Sequence, residues 1–157
     1  LPRAIRDVYK RQIFGLTLQT PFEMIHRAYM EATAFGTKLI MQQFEDNQIP
    51  VNTVYAAGGI PIKSELLVDI YTNVLNKEVV VMDSSNATAL GAAMLGANVG
   101  GAYQTLEDTV HHMKQPVYYR LQPDPEKVKQ YEALFQRYKA LHDVLGKHYP
   151  NLSYINN

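Results

Sequence analysis

Two short apolar runs constrain the fold most: TVYAA over residues 53–57 and EVVVM over residues 78–82. Apolar runs of this kind are typical of strands that are covered on both faces. Between them, Ser64 precedes a segment whose apolar residues recur at helical spacing, which predicts a capped helix joining the two strands. A strand, a helix and a second strand in this order indicate an α/β fold with parallel strands and a right-handed crossover.

Helical signals flank this unit. Thr20, with Glu23 three residues later, predicts the N-cap of a first helix, which should end near Asp46. After the second strand, the segment DSSN over residues 83–86 has side chains that can cap a helix. The helix that follows, ATALGAAMLGANVG, is rich in Ala and Gly, and we expect it to press closely on the sheet.

The carboxyl-terminal third is predicted to be mainly helical. Thr105 begins a short helix, and Asp124 with Pro125 begins a long one, which Gly146 is placed to end. Only the two strands above are predicted, whereas an independently stable sheet needs about three or more. The pattern therefore predicts part of a larger α/β domain whose other strands lie upstream.

Composition narrows the class of protein. The 157 residues are enough for one ordinary domain, and 46% hydrophobic with 19% charged residues is typical of a globular chain. No apolar run approaches the ~20 residues that span a bilayer, and no secretory signal is recognisable. Because Cys is absent, a disulfide framework and a thiolate metal site are excluded. A cytoplasmic enzyme or binding domain fits these features best.

Basic residues are concentrated at the amino terminus. Residues 1–12 hold four basic side chains and one acidic side chain, although the formal net charge of the whole chain is zero. Such an arm can bind nucleic acid or an anionic membrane. However, the segment DVYKRQ is also what a transposon end used to prepare sequencing libraries encodes. We therefore expect residues 1–12 to be a non-native leader, with the natural protein extending further upstream.

The segment GGIPIKS after the first strand is the strongest candidate for a binding site. Gly58 and Gly59 lie where open α/β sheets bind ligands, at the carboxyl end of a parallel strand. Without side chains they let a ring or a phosphate approach the main chain, and Lys63 and Ser64 add a charge and a hydroxyl. On spacing alone, a merely tight turn is the better explanation, because paired glycines interrupt many loops. Neither a P-loop nor a dinucleotide-binding fingerprint is present.

Other polar residues give weaker signals. Asp69, Asp83 and Glu31 are better explained as paired, capping or locally packed charges than as general acids or bases, because none has a second acid or a His beside it. His111 and His112 are adjacent, so on a helix they point about 100° apart and cannot both hold one metal ion. The tyrosines of the last helix recur at helical spacing, which favours core packing over a platform for stacking bases.

Three segments, in order, resemble a known family. FGLTLQTPFEMIHRAYMEATAFG, YAAGGIPIKSELLVDIYTNVLNKEVVV and NATALGAAMLGANVGG are similar to the carboxyl-terminal domain of the FGGY carbohydrate kinases. The resemblance covers residues 13–115, with residues 116–157 as a helical tail of the same domain. It implies an α/β fold that is a partial actin-like, ribonuclease-H-like ATPase domain, with parallel strands, crossover helices and a carboxyl-terminal helix.

The resemblance also implies a site for ATP. Gly58 and Gly59 correspond to the glycines that let the nucleotide lie against the main chain, and Lys63 and Ser64 to positions near its adenine or ribose end. Gly91, in the ATALGAA helix, corresponds to a structural position beside the cleft. The catalytic Asp, the phosphate-binding strands and most sugar contacts of the family lie upstream of this segment. No catalytic residue or metal ligand is therefore expected here, and Mg²⁺ would be bound mainly through ATP and the upstream part.

Within the family, GGIPIKS is most similar to the L-ribulokinases. This implies transfer of the γ-phosphate of ATP to L-ribulose, giving L-ribulose 5-phosphate in L-arabinose catabolism, with the segment inactive by itself. A xylulokinase or another FGGY kinase, or a non-catalytic actin-like ATPase, remains an alternative. The implied partners are a small sugar and ATP, without nucleic acid or membrane, and a homodimer is compatible with an exposed sheet edge.

Overall fold

The structure is a computed structural model, and it describes residues 13–144. The expected leader, residues 1–12, and the helix end at Gly146 lie outside the described residues. The elements in chain order are α1 (Phe22–Asp46), β1 (Thr53–Ala56), α2 (Gly59–Lys63), α3 (Glu65–Leu75), β2 (Glu78–Met82), α4 (Ala87–Val99), α5 (Leu106–Met113), β3 (Val117–Leu121) and α6 (Pro125–Asp143).

The described strands form one sheet in the order β1-β2-β3. β1 and β2 are parallel, with Thr53 opposite Glu78 and Ala56 opposite Val81, and α2 and α3 form the crossover between them. Both predicted strands and their parallel pairing are therefore confirmed. Ser64 caps α3 as predicted, because its Oγ accepts a hydrogen bond from the Leu67 N–H at 3.4 Å.

The third strand, β3, is absent from the sequence-based prediction. It pairs antiparallel with β2, and the register is irregular between Val81 and Met82. VYYRL is short, lies between Pro116 and Pro123 and lacks a regular polar alternation, so its strand conformation depends on pairing with β2. With a neighbour on each side, β2 is the most buried of the described strands.

The main core lies between α1, α3 and α6 rather than on the sheet alone. Phe35 of α1 packs against Phe135 and Tyr131 of α6, with ring centroids 5.9 Å and 6.3 Å apart. Ile70 and Val74 of α3 are fully buried in the same cluster. The prediction that the tyrosine-rich helix contributes to the core is confirmed for Tyr131.

Two polar networks attach α6 to the helices beneath it. Arg27 donates to Glu31 Oε1 and to the Tyr131 hydroxyl, both at 2.8 Å, and Tyr131 in turn donates to Glu31 at 3.2 Å. At the other end, Asn73 Oδ1 accepts the Asp124 N–H at 2.8 Å. The expected local packing role of Glu31 is thus confirmed, and the position of α6 is set by directional bonds as well as by apolar burial.

Three expectations about helix ends and packing are wrong. Thr20 does not cap α1, because its Oγ1 accepts the Thr17 N–H at 3.0 Å in the preceding turn and Pro21 occupies the N-cap. Asn86, at the N-cap of α4, makes no side-chain capping bond. Nor does α4 press on the described sheet: none of its residues is buried, and it packs chiefly against α5. The small side chains of α4 permit another element to pack closely against it, but they do not determine which element does so.

Candidate functional site

The paired glycines form a turn at the carboxyl end of β1. Gly58 has φ 106° and ψ 177°, a backbone conformation that residues with a Cβ rarely adopt. Its N–H donates to the Ser84 carbonyl oxygen at 2.8 Å, so the turn is fixed to the loop that follows the neighbouring strand β2. Backbone geometry alone therefore explains the glycine at position 58.

Gly59 needs a different explanation. It begins α2, and its φ does not lie in the left-handed region. A Cβ built on Gly59 meets no described atom within 4 Å, so packing within the described chain does not require glycine either. The missing side chain leaves open space directly against the main chain, as at Gly91 and Gly96, so the turn can admit a ligand, and its role as a ligand site stays a prediction.

A cleft of about 360 Å³ adjoins the turn. Its walls are Val54, Ala56 and Val79 of the sheet, Leu67, Val68 and Tyr71 of α3, and residues 57–61. Every side chain in this set is apolar except for the Tyr71 hydroxyl, and the polar groups of the turn are main-chain groups. Its volume and character suit a flat, largely apolar ring bound beside main-chain donors and acceptors.

Lys63 and Ser64 lie at the far end of α2 and do not line this cleft. Lys63 is exposed, and the Ser64 hydroxyl is engaged in capping α3. The structure thus brings Gly58 and Gly59 to the cleft and separates the other two candidates from it. Contact of Lys63 or Ser64 with a nucleotide stays a prediction.

Two residues beside the turn were not recognised from sequence as parts of the site. Ser84 receives the Gly58 N–H, and Tyr119 of β3 donates its hydroxyl to the Pro61 carbonyl at 3.0 Å, holding α2 in place. Burial raises the pKa of Tyr119, which keeps that hydroxyl protonated as a donor. The parallel strand pair implied that the Ser84 loop lies beside the glycines, whereas Tyr119 required knowledge of β3.

The other titratable candidates have local partners. Both Asp69 carboxylate oxygens accept from Lys127 Nζ at 3.0 Å, which confirms a paired charge. His112 Nδ1 lies 3.1 Å from Asp108 Oδ1, and its ring stacks on Tyr103. Over residues 13–144, no three His, Cys, Asp or Glu side chains group as a metal site would require. In the same range, no helix combines the length and apolar character needed to cross a bilayer.

Comparison with known sequences gives close relatives. Over 144 residues, 92% of this chain, the sequence is 84% identical to Ribulokinase 1 of Staphylococcus saprophyticus. It is 70% identical to the ribulokinase of Staphylococcus epidermidis over 143 residues, 91% of this chain. Each match covers 27% of the relative, so the chain spans about a quarter of the length of these curated proteins.

The fold of this chain resembles parts of solved structures. The xylulose kinase of Rhodospirillum rubrum matches with a TM-score of 0.70 at 24% identity, covering 85% of this chain and 27% of that one. The ligand-bound xylulose kinase of Lactobacillus acidophilus matches with a TM-score of 0.73 at 22% identity, covering 90% and 28%. The actin-like α/β fold expected from sequence is thus confirmed. Residues 3–99 match the profile of the carboxyl-terminal domain of the FGGY family of carbohydrate kinases, and the chain therefore belongs to that family.

Proposed function

We propose that this chain is the nucleotide-binding part of an L-ribulokinase. The complete enzyme would transfer the γ-phosphate of ATP to L-ribulose in the cytoplasm, giving L-ribulose 5-phosphate for L-arabinose catabolism. The observation that carries this proposal is the 84% identity with a ribulokinase, which far exceeds the 24% identity with a solved xylulose kinase. We also propose that residues 13–115 belong to an incomplete carboxyl-terminal domain and residues 116–157 to its helical tail.

The residues of the turn fit ATP. The open space against Gly59 admits a flat ring, and the adjoining apolar cleft can exclude water from it. ATP supplies the transferable phosphoryl group and brings Mg²⁺ with its phosphates. The roles proposed for this chain are to bind the nucleoside end at Gly58 and Gly59 and to keep the turn rigid through the Gly58–Ser84 bond.

Phosphoryl transfer to a hydroxyl also needs a carboxylate that accepts its proton. No Asp or Glu among the described residues lines the cleft beside the turn. We therefore propose that the catalytic Asp and the sugar pocket belong to the part of the enzyme that this chain does not include, which agrees with its 27% coverage of the relatives. On this view, the isolated chain does not phosphorylate sugars.

A chimeric kinase tests the proposal. Residues 13–157 replace the matching segment of the Staphylococcus saprophyticus relative, and ATP consumption is measured with L-ribulose, D-xylulose and glycerol. Because the sugar pocket of the chimera comes from the relative, the proposal requires that the chimera phosphorylate L-ribulose with a KM for ATP close to that of the unaltered relative. A folded chimera with a strongly raised KM for ATP would contradict the proposal, and nucleotide hydrolysis without any sugar phosphorylation would indicate a non-catalytic ATPase.

A further inference from the structure

The short helix α2 forms one wall of the apolar cleft and has little packing of its own. Its first residues, Gly59, Ile60 and Pro61, line the cleft. The helix is five residues long, and none of them is buried. A helix of this length is not stable by itself, because few backbone hydrogen bonds offset the loss of chain entropy. The position of this wall therefore depends on contacts with the elements around it.

Hydrogen bonds from two neighbouring segments hold α2 and the turn before it against the sheet. The Gly58 N–H donates to the Ser84 carbonyl at 2.8 Å, and the Tyr119 hydroxyl of β3 donates to the Pro61 carbonyl at 3.0 Å. Carbonyl groups near the end of a helix have no partner within it, and no described main-chain N–H donates to Pro61. The tyrosine thus satisfies a group that α2 cannot satisfy itself.

An irregularity in β3 helps to aim this tyrosine. In β2, Val81 lies opposite Tyr119. Its neighbour Met82 lies opposite Val117, so Tyr118 is an extra residue on β3. Bulges of this kind redirect side chains and are frequent beside active sites. The Tyr119 ring also packs against the apolar cluster between α3 and the sheet. The strand register and the packing of the ring together set where the hydroxyl lies.

Tyr119 is not among the residues that line the cleft. A ligand in the cleft would contact the start of α2, whereas Tyr119 contacts α2 from outside the cleft, where it lines a separate cavity with Ile62. The tyrosine can therefore affect such a ligand only through the position of α2. A bond that merely stabilises the fold would not affect the ligand at all, and this difference can be measured.

We propose that Tyr119 is a positioning residue for nucleotide binding: its bond to the Pro61 carbonyl holds α2 as a rigid wall against the base of the nucleotide. This inference rests on the proposed function, which puts the nucleoside end at Gly58 and Gly59. It gives β3 a part in the site. Loss of the hydroxyl should weaken binding of the nucleoside end and leave the sugar substrate unaffected.

The test compares two neighbouring tyrosines in the chimeric kinase. Tyr119→Phe keeps the ring and removes the hydroxyl, so KM for ATP should rise about two- to tenfold, the value of one hydrogen bond. The values of kcat and of KM for L-ribulose should change little. Tyr118→Phe is the matched control, because Tyr118 is 56% exposed and its hydroxyl has no hydrogen bond within residues 13–144. It should leave KM for ATP unchanged.

Two further measurements locate the effect. Without nucleotide, the main-chain N–H groups of Ile60, Ile62 and Lys63 should exchange their hydrogens faster in Tyr119→Phe than in Tyr118→Phe, because α2 opens more often. In isothermal titration, the Kd of adenosine should rise by the same factor as the Kd of ATP, because the wall contacts the nucleoside end.

A lower Tm in Tyr119→Phe with unchanged KM for ATP would show that the bond only stabilises the fold, and it would overturn the proposal. A raised KM without faster exchange in α2, or an equal rise in Tyr118→Phe, would overturn it as well. If the unaltered chimera binds ATP but phosphorylates no sugar, the proposed function fails, and the Kd values with the exchange rates still decide the role of Tyr119. A chimera that binds no ATP would overturn both.

Discussion

Neither the backbone conformation nor packing within the described chain requires glycine at position 59. A side chain introduced there can therefore test whether the turn binds a ligand. In the chimeric kinase, Gly59→Leu should raise KM for ATP by about 10- to 100-fold, because the new side chain occupies the space against the main chain. KM for L-ribulose should change little. Steady-state kinetics with each substrate varied separately measures both values.

Gly96→Leu is the matched control for this substitution. Gly96 is also helical, with no described atom within 4 Å of a built Cβ, but it lies in α4, away from the turn. It should leave KM for ATP unchanged. Equal effects of the two substitutions would mean that Gly59 is sensitive only as a helical glycine, and the nucleotide site would have to be sought elsewhere.

The ion pair between Lys38 and Glu132 links stability to pH. Lys38 Nζ donates to Glu132 Oε2 at 2.7 Å and thereby lowers the pKa of Glu132 in the folded chain. As the pH falls, the unfolded chain therefore takes up this proton before the folded one does. The stabilisation is complete above the unfolded pKa of Glu132 and is lost as the pH falls through its folded pKa.

Glu132→Gln should accordingly lower the free energy of unfolding at pH 7 by up to about 1 kcal/mol, since half of Glu132 is exposed. The difference from the unaltered chain should disappear in acid. Urea unfolding at a series of pH values from 7 to about 3 measures this. In a Lys38→Gln background the substitution should have almost no effect, and a deficit that persists unchanged in acid would exclude the ion pair as its cause.

The helices and strands that capping residues or apolar runs mark in the sequence were predictable. Ser64, Thr105 and Asp124 each cap the helix that sequence assigned to them, and the parallel strands followed from two apolar runs joined by a helix. β3 was missed because its conformation depends on β2, which is distant in sequence. Gly58 and Gly59 were identified from a local pattern, whereas the contacts of Tyr119 with Pro61 and of the Ser84 carbonyl with Gly58 join segments distant in sequence and were missed.

We predict that Asn73 of α3 holds the start of α6 in place. This residue is 1% exposed; its Oδ1 accepts the Asp124 N–H, and its Nδ2 donates to the Asp69 carbonyl at 2.8 Å. Asn73→Ala removes both hydrogen bonds of this buried amide and should cost about 1–3 kcal/mol in urea unfolding. Asn98→Ala, at a half-buried position in α4 without a side-chain hydrogen bond in the described chain, should cost much less. Equal losses would show that the network does not hold α6.

At the scale of the whole molecule, the described sheet is unevenly covered. β1 has a neighbour on one side only within the described residues, and Tyr55 at its centre is 67% exposed. Large apolar side chains of α4 are exposed as well, including Val99 at 88%. An unpaired strand edge next to exposed apolar surface is a template for association with another chain.

The isolated chain of 157 residues should therefore associate with itself. Light scattering coupled to size-exclusion chromatography should show a mass that rises with concentration, and the thermal transition should be broad. Tyr55→Lys places a charge beside the open edge of β1 and should shift the chain toward monomer. Tyr29→Lys, at a position of α1 that is 53% exposed and outside the sheet, should not. A soluble monomer with a sharp cooperative transition in the unaltered chain would mean that the described fold is complete enough to be stable without a partner on β1.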